Sequence, residues 1–231
     1  MTRHALLFDL DDTLYDEITF VHAAMLEVAE FVARRSDHAP DEVHRHLLDE
    51  LGRSGRGRVF DAVLERLRLP ASWVPTLVYV YRSAEPRLSL LPGATDLLRR
   101  CRDAGLATGI LTDGSSLVQA AKIRSLGLRN LVDAVVLTDS VGAGEPKPSV
   151  VGFEVAMRLL DTTPGATGYV ANDVNKDFVA SQVLGMTGVL VRRGQIGDLA
   201  AMPATHHPDL QVHDLTQVWD ALPSRFTGGG E

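Results

Sequence analysis

Two carboxylates one residue apart, Asp9 and Asp11, follow the apolar run Ala5-Leu6-Leu7-Phe8. In extended backbone that spacing turns both side chains to one face. Carboxylates converging on one face repel unless a cation lies between them or one holds a proton, and either arrangement suits catalysis. The plainer reading is an Asp-rich turn in which Asp11, Asp12 or Thr13 caps the following helix. Downstream, Thr112 ends another apolar run, with Asp113-Gly114 behind it at a helix start. A hydroxyl beside free backbone N–H groups holds a phosphate, or simply caps the helix. Lys147 stands between Pro146 and Pro148, in a chain with 20 arginines but only three lysines, Lys122, Lys147 and Lys176. Where any surface cation would serve, this sequence writes arginine. A lysine fixed between prolines therefore points to a compact charge held rigidly. Asp173 and Asp177 follow a fourth run. Four acids, a lysine and a hydroxyl gathered in one place suit a hard cation, Mg²⁺, bridging carboxylates and a phosphate.

The elements that would gather them are legible from periodicity. Short apolar runs at 5–8, 106–111, 134–137, 168–171, 187–191 and 210–212 read as strands. Between most of them lie helical patterns, from 93 to 104, 115 to 126, 150 to 160, after 177 to 184, and 215 to 222, with Ser115 or Ser116 as a cap. Strands alternating with helices predict an α/β fold, a doubly wound parallel sheet. Its right-handed crossovers bring the C-terminal ends of the first, second and fourth strands together at the switch point. The exception is 16–87, which carries helical period only: a stripe of Val21, Met25, Val28 and Val32 with Phe20, Ala24 and Phe31 beside it, then helices at 40–51, 59–67 and 72–83. The expected organisation is an α/β core of residues 1–15 and 88–231 with a helical cap domain of residues 16–87. The basic glycine loop Arg53 to Arg58 could meet an anionic substrate, but a solvated turn is the favoured reading, and Phe226 to Glu231 reads as a frayed tail.

In order, Asp9-Leu10-Asp11-Asp12-Thr13, Thr112, Lys147-Pro148 and the acidic loop through Asp177 resemble the motifs of the haloacid dehalogenase superfamily over nearly the whole chain. The all-helical insertion after the first motif resembles that family's cap. The resemblance implies a Rossmann-like core and a phosphatase working through an aspartyl-phosphate. It would make Asp9 the nucleophile and Asp11 the acid and base, with its backbone carbonyl on the metal. Thr112, Asp113, Gly114 and Lys147 would hold the phosphate, and Asp177 would anchor Lys147 or the metal's waters. Mg²⁺ would be held by Asp9, Asp11 and either Asn172 or Asp173, with Asp173 the favoured donor. The family's usual Gly-Asp stands here as Ala171-Asn172, followed by Asp173. An amide oxygen ligates Mg²⁺ without charge. That substitution leaves open a silent member that binds phosphometabolites or a partner, while the acid at Asp11 argues against a metal-independent 2-haloacid dehalogenase.

The rest of the chain narrows the class. A net charge of −7 over 231 residues gives no support for nucleic-acid or anionic-membrane partners. The single cysteine, Cys101, precludes an intrachain disulfide and suits a reducing cytoplasm. It reads as a core side chain on a helix face. His38, His44 and His46, and the pair His206 and His207, lack partners at zinc-site spacing. The expected substrate is a small phosphorylated metabolite in the cytoplasm. Oligomeric state is not readable.

Overall fold

The computed structural model describes residues 3–141, 145–193 and 199–227. Six parallel strands form one sheet in the order β3-β2-β1-β4-β5-β6. They are β1 (Ala5–Phe8), β2 (Ala107–Thr112), β3 (Ala134–Leu137), β4 (Thr167–Ala171), β5 (Thr187–Val191) and β6 (Leu210–Val212). β1 is central, between β2 and β4, and all four of its residues are buried. That is why it reads as a continuous apolar run rather than an alternating one. The order reverses at β1, so the ends of β1, β2 and β4 meet at the switch point, as the alternation implies. β4 lies close beside β1: a Cβ on Gly168 would stand 2.5 Å from Leu6 Cδ2.

Between β1 and β2 the chain forms α1 (Glu17–Ala33), α2 (Pro40–Ser54), α3 (Val59–Arg66), α4 (Val74–Ser83) and α5 (Ala94–Asp103). The first four pack on one another around Val28, Val43, Leu47, Val63 and Leu77. The chain leaves and re-enters the sheet layer along adjacent paths, with Tyr15 bridged to Leu90 and the Leu91 N–H donating to the Leu14 carbonyl at 2.9 Å. The remaining helices are α6 (Ser116–Ser125), α7 (Val151–Leu159), α8 (Asp177–Leu184), α9 (Val218–Ala221) and α10 (Ser224–Thr227).

Several expectations need correction. α2 continues past Gly52 to Ser54, because the Arg53 and Ser54 side chains both bond back to Glu50. Neither Ser115 nor Ser116 caps α6 with its side chain: the Ser116 N–H donates instead to Asp139 Oδ2 at 2.9 Å. The segment from Leu215 opens as a single 3₁₀ turn before α9. Phe226 is not frayed. It is buried on α10, with the His4 ring edge-on at 5.6 Å, while residues 228–231 lie outside the described residues. Cys101 is a core residue of α5, and burial pushes its thiol up to about 12. Among the described residues no helix is long and apolar enough to cross a membrane.

Candidate active site

Asp9 comes first after β1, in the crowded centre of the sheet, and is only 3% exposed. Lys147 reaches it from the loop before α7. The Lys147 ammonium donates to Asp9 Oδ1 at 2.6 Å, Asp177 Oδ1 at 2.7 Å and the Tyr169 hydroxyl at 2.9 Å. An ammonium has three donors, and all three are used. Burial alone would lower the Lys147 pKa, but the Asp177 and Asp9 charges outweigh it and hold Lys147 well above the usual lysine range. Burial pushes the Asp9 carboxyl up to about 7, against the pull of Lys147 and with the push of the Asp177 charge. Asp177 also accepts from the Tyr169 hydroxyl and, through Oδ2, from the Asp173 N–H. It therefore anchors both the lysine and the loop after β4.

The Asp11 carboxylate has a lysine of its own. Lys122 on α6, 3% exposed, donates to Asp11 Oδ1 at 2.6 Å. The Tyr15 hydroxyl donates to the same oxygen at 2.5 Å. Burial, then the Asp11 charge, hold the Tyr15 phenol far above its ordinary range, so it remains a donor. Gln119, one helical turn before Lys122, donates from one amide nitrogen to Asp11 Oδ2 at 2.8 Å and to Thr112 Oγ1 at 2.6 Å. The Lys122 ammonium also stands 4.9 Å from the Phe20 ring centre and 3.7 Å from Glu17. Glu17 in turn receives both terminal nitrogens of Arg56, at 3.0 and 2.5 Å. Asp12, at φ 56°, accepts from the Glu17 N–H at 2.9 Å. The capping role weighed for this stretch thus falls to Asp12, leaving Asp9 and Asp11 free for chemistry.

The third edge is built from the ends of β2 and β4. Thr112 is buried, and Gly114 behind it has a φ of 109°, which a side chain would resist. Asp113 Oδ1 accepts from the Thr138 hydroxyl at 2.9 Å and the Lys147 N–H at 3.1 Å, tying the second motif to the third. Its other oxygen lies 3.8 Å from Lys176. Thr13 Oγ1 lies 3.2 Å from Asp9 Oδ2 and 3.0 Å from Asn172 Oδ1. One hydroxyl proton cannot serve both acceptors, so at least one of these oxygens is left free for another partner. That pair of hard oxygens fits a Mg²⁺ site of low charge. Asp173 lines the same cleft, but its Oδ1 accepts from the Asn175 N–H at 3.0 Å and side-chain amide at 2.9 Å. It is Asn172 that meets Asp9 around Thr13. Among the described residues, no three acidic, histidine or cysteine side chains converge as a metal cluster.

Above these groups opens a cleft of about 470 Å³. Glu17, Phe20, Arg56, Tyr81 and Arg82 line it from the helical insertion, and Asp11, Lys122, Asn172, Asp173 and Lys176 from the sheet side. Of the site residues named from the sequence, Asp11, Asp113, Gly114, Asn172 and Asp173 line this cleft, while Asp9, Thr112, Lys147 and Asp177 are buried and joined to its lining through the hydrogen bonds given above. Motif reasoning missed Tyr15, Gln119, Lys122 and Lys176, and it preferred a solvated turn for the loop of Arg56 over a place at the substrate. A signal was present for the lysines: all three in the chain stand here.

The chain is 26% identical over 226 residues to the glyceraldehyde 3-phosphate phosphatase of Methanopyrus kandleri, covering 94% of this chain and 96% of that one. It is 29% identical over 164 residues to a phosphoserine phosphatase of Thermus thermophilus, covering 71% of this chain and 64% of that one. The magnesium-bound hydrolase YfnB of Bacillus subtilis has the same fold, with a TM-score of 0.66 at 19% identity over 95% of this chain and 98% of that one. Asp9, Asp11, Thr112, Lys147 and Asp177 thus meet at a switch point within residues 4–185, the span that matches the haloacid dehalogenase-like hydrolases, and the chain belongs to that family.

Proposed function

We propose that this hydrolase is a Mg²⁺-dependent phosphatase of small phosphomonoesters, with residues 16–87 acting as a cap that closes over the cleft. The observation that carries the proposal is the pairing of two carboxylates with two buried lysines, Asp9 with Lys147 and Asp11 with Lys122, beneath one charged cleft. Asp9 attacks phosphorus and the bond to the ester oxygen breaks, giving an aspartyl-phosphate. Asp11, which must take up a proton as the ester binds, gives it to the departing alkoxide, then takes one from the water that hydrolyses the intermediate. Thr112 and the amides behind it hold phosphate oxygens, and Lys147 offsets the charge shared by Asp9 and the phosphate. Asp9, Asn172 and the Asp11 carbonyl would hold Mg²⁺, which when bound would supply positive charge to the phosphate. The names of the relatives put glyceraldehyde 3-phosphate and phosphoserine first among substrates to try.

The test is inorganic phosphate release from a panel of phosphomonoesters, with Mg²⁺ titrated and Asp9→Asn run alongside. Release that requires Mg²⁺ and falls by about 10³-fold or more in Asp9→Asn is the expected result. Undiminished release by a clean, folded Asp9→Asn preparation would sink the proposal. Asn172 supports one rival, a silent member that binds phosphate esters. Its signature is saturable ester binding without phosphate release at any Mg²⁺ concentration.

A further inference from the structure

The geometry points to Gln119 and Lys122 as positioning residues that fix Asp11 in register with the phosphate. This inference rests on the proposed role of Asp11 as acid and base. Both Asp11 oxygens are pinned from α6, Oδ1 by Lys122 at 2.6 Å and Oδ2 by Gln119 at 2.8 Å. Gln119 and Lys122 are three residues apart, so they share one helix face. Both are almost fully buried. A buried lysine and a buried glutamine on a short helix are costly unless each is fully engaged, and here each is engaged with the same carboxylate. Gln119 also holds Thr112 Oγ1 at 2.6 Å. One amide thus fixes the distance between Asp11 and the hydroxyl that would hold the phosphate. Both border the cleft, but their polar groups are directed at Asp11, Thr112 and Glu17, so both are assigned to act through Asp11.

The consequence concerns the leaving group. As the ester bond to phosphorus breaks and the Asp9 oxygen bonds to phosphorus, the Asp11 proton passes to the departing oxygen. An alkoxide or a poor phenoxide needs that proton; p-nitrophenoxide leaves without it. Misplacing Asp11 by an ångström therefore penalises poor leaving groups most. A residue that merely supports the fold would depress all esters alike.

The experiment measures kcat/KM, which reports the first chemical step, for a series of substituted phenyl phosphates spanning leaving-group acidity. It uses the whole protein as wild type, Lys122→Met, Gln119→Leu and Asp11→Asn, with Asp9→Asn as the inactive reference. Wild type should show a shallow dependence on phenol acidity and Asp11→Asn a steep one. Lys122→Met and Gln119→Leu should steepen toward Asp11→Asn, losing about 10²-fold on phenyl phosphate but less than about fivefold on p-nitrophenyl phosphate. Parallel plots, with the wild-type slope in both variants, would overturn the inference. Gln119→Leu conserves volume and decides the matter if Lys122→Met does not fold. If Asp9→Asn still turns over, the proposed function itself fails. If Asp9→Asn is inactive and the slopes match, only the positioning role fails.

Discussion

At the scale of single residues, the site is a matter of where this chain spends its lysines. Lys147 donates to Asp9, Lys122 to Asp11, and Lys176 stands by Asp113. The scarcity argument that singles out Lys147 in the sequence applies equally to the other two. Lys122 escapes it because a lysine in a helical pattern ordinarily marks a solvated face, and only the tertiary fold buries it. Asp9, Asp11 and Thr112 are legible for the opposite reason: they sit at the ends of apolar runs, where sheet geometry leaves few alternatives. Asn172 is the residue that the proposed metal site turns on. Its amide oxygen shares Thr13 with Asp9, whereas Asp173 Oδ1 is committed to Asn175. Restoring a carboxylate there adds charge without changing shape. Asn172→Asp is therefore expected to lower the Mg²⁺ concentration for half-maximal phosphate release by about tenfold, and Asp173→Asn to leave it within about twofold. The opposite pattern in the same titration would assign the metal to Asp173.

At the scale of elements, strands and crossover helices follow directly from period and length, and the meeting of the first, second and fourth strand ends from the right-handed crossovers. Loops do not, because their side chains are placed by partners distant in sequence. The loop between α2 and α3 is an instance. Its glycines and arginines read as a solvated turn, and Arg53 is indeed exposed and paired within its own helix with Glu50. Arg56 crosses to Glu17 at the start of α1 and becomes a wall of the cleft. The pair is mostly in contact with water on the arginine side, so it contributes at most about 1 kcal/mol to stability. Its effect belongs to the cleft. Without Arg56, Glu17 is left facing Lys122 alone, and the wall over Asp11 loses its outer cation. Arg56→Ala should leave the melting temperature nearly unchanged while lowering kcat/KM by about tenfold on the preferred ester, since an anionic or polar leaving group loses a charged donor. Thermal melts and steady-state kinetics on one preparation would check both halves. A large drop in melting temperature would instead make the loop a structural brace.

At the scale of the whole molecule, the question is whether cap and core are two bodies or one. That the helical insertion, residues 16–87, holds no strand is legible in the sequence. How it is joined to the sheet layer is not, because a single amphipathic stripe on α1 serves two clusters. Val21, Met25 and Val28 face the helical insertion, whereas Phe20 and Ala24 on the same helix pack with Leu6, Phe8 and Ile110 of the sheet. Tyr81 on α4 touches both clusters, edge-on to Phe20 at 5.8 Å and to Phe60 at 6.1 Å. A shared helix couples the two bodies, so unfolding the insertion alone would strip apolar cover from the core. The chain's two tryptophans report on the two sides: Trp73 packs with the insertion, against Phe31, and Trp219 with the sheet-side cluster. Single-tryptophan variants, Trp219→Phe and Trp73→Phe, should therefore give the same denaturation midpoint. Adding Leu47→Ala, deep in the insertion, should cost about 2–5 kcal/mol and move both midpoints together. Coincident transitions are the mark of one cooperative unit. If Leu47→Ala instead shifted the Trp73 signal alone, leaving Trp219 where it was, the insertion would be a separate folding unit hinged on Tyr15 and Leu90, and α1 would have to part from the core before the sheet unfolds.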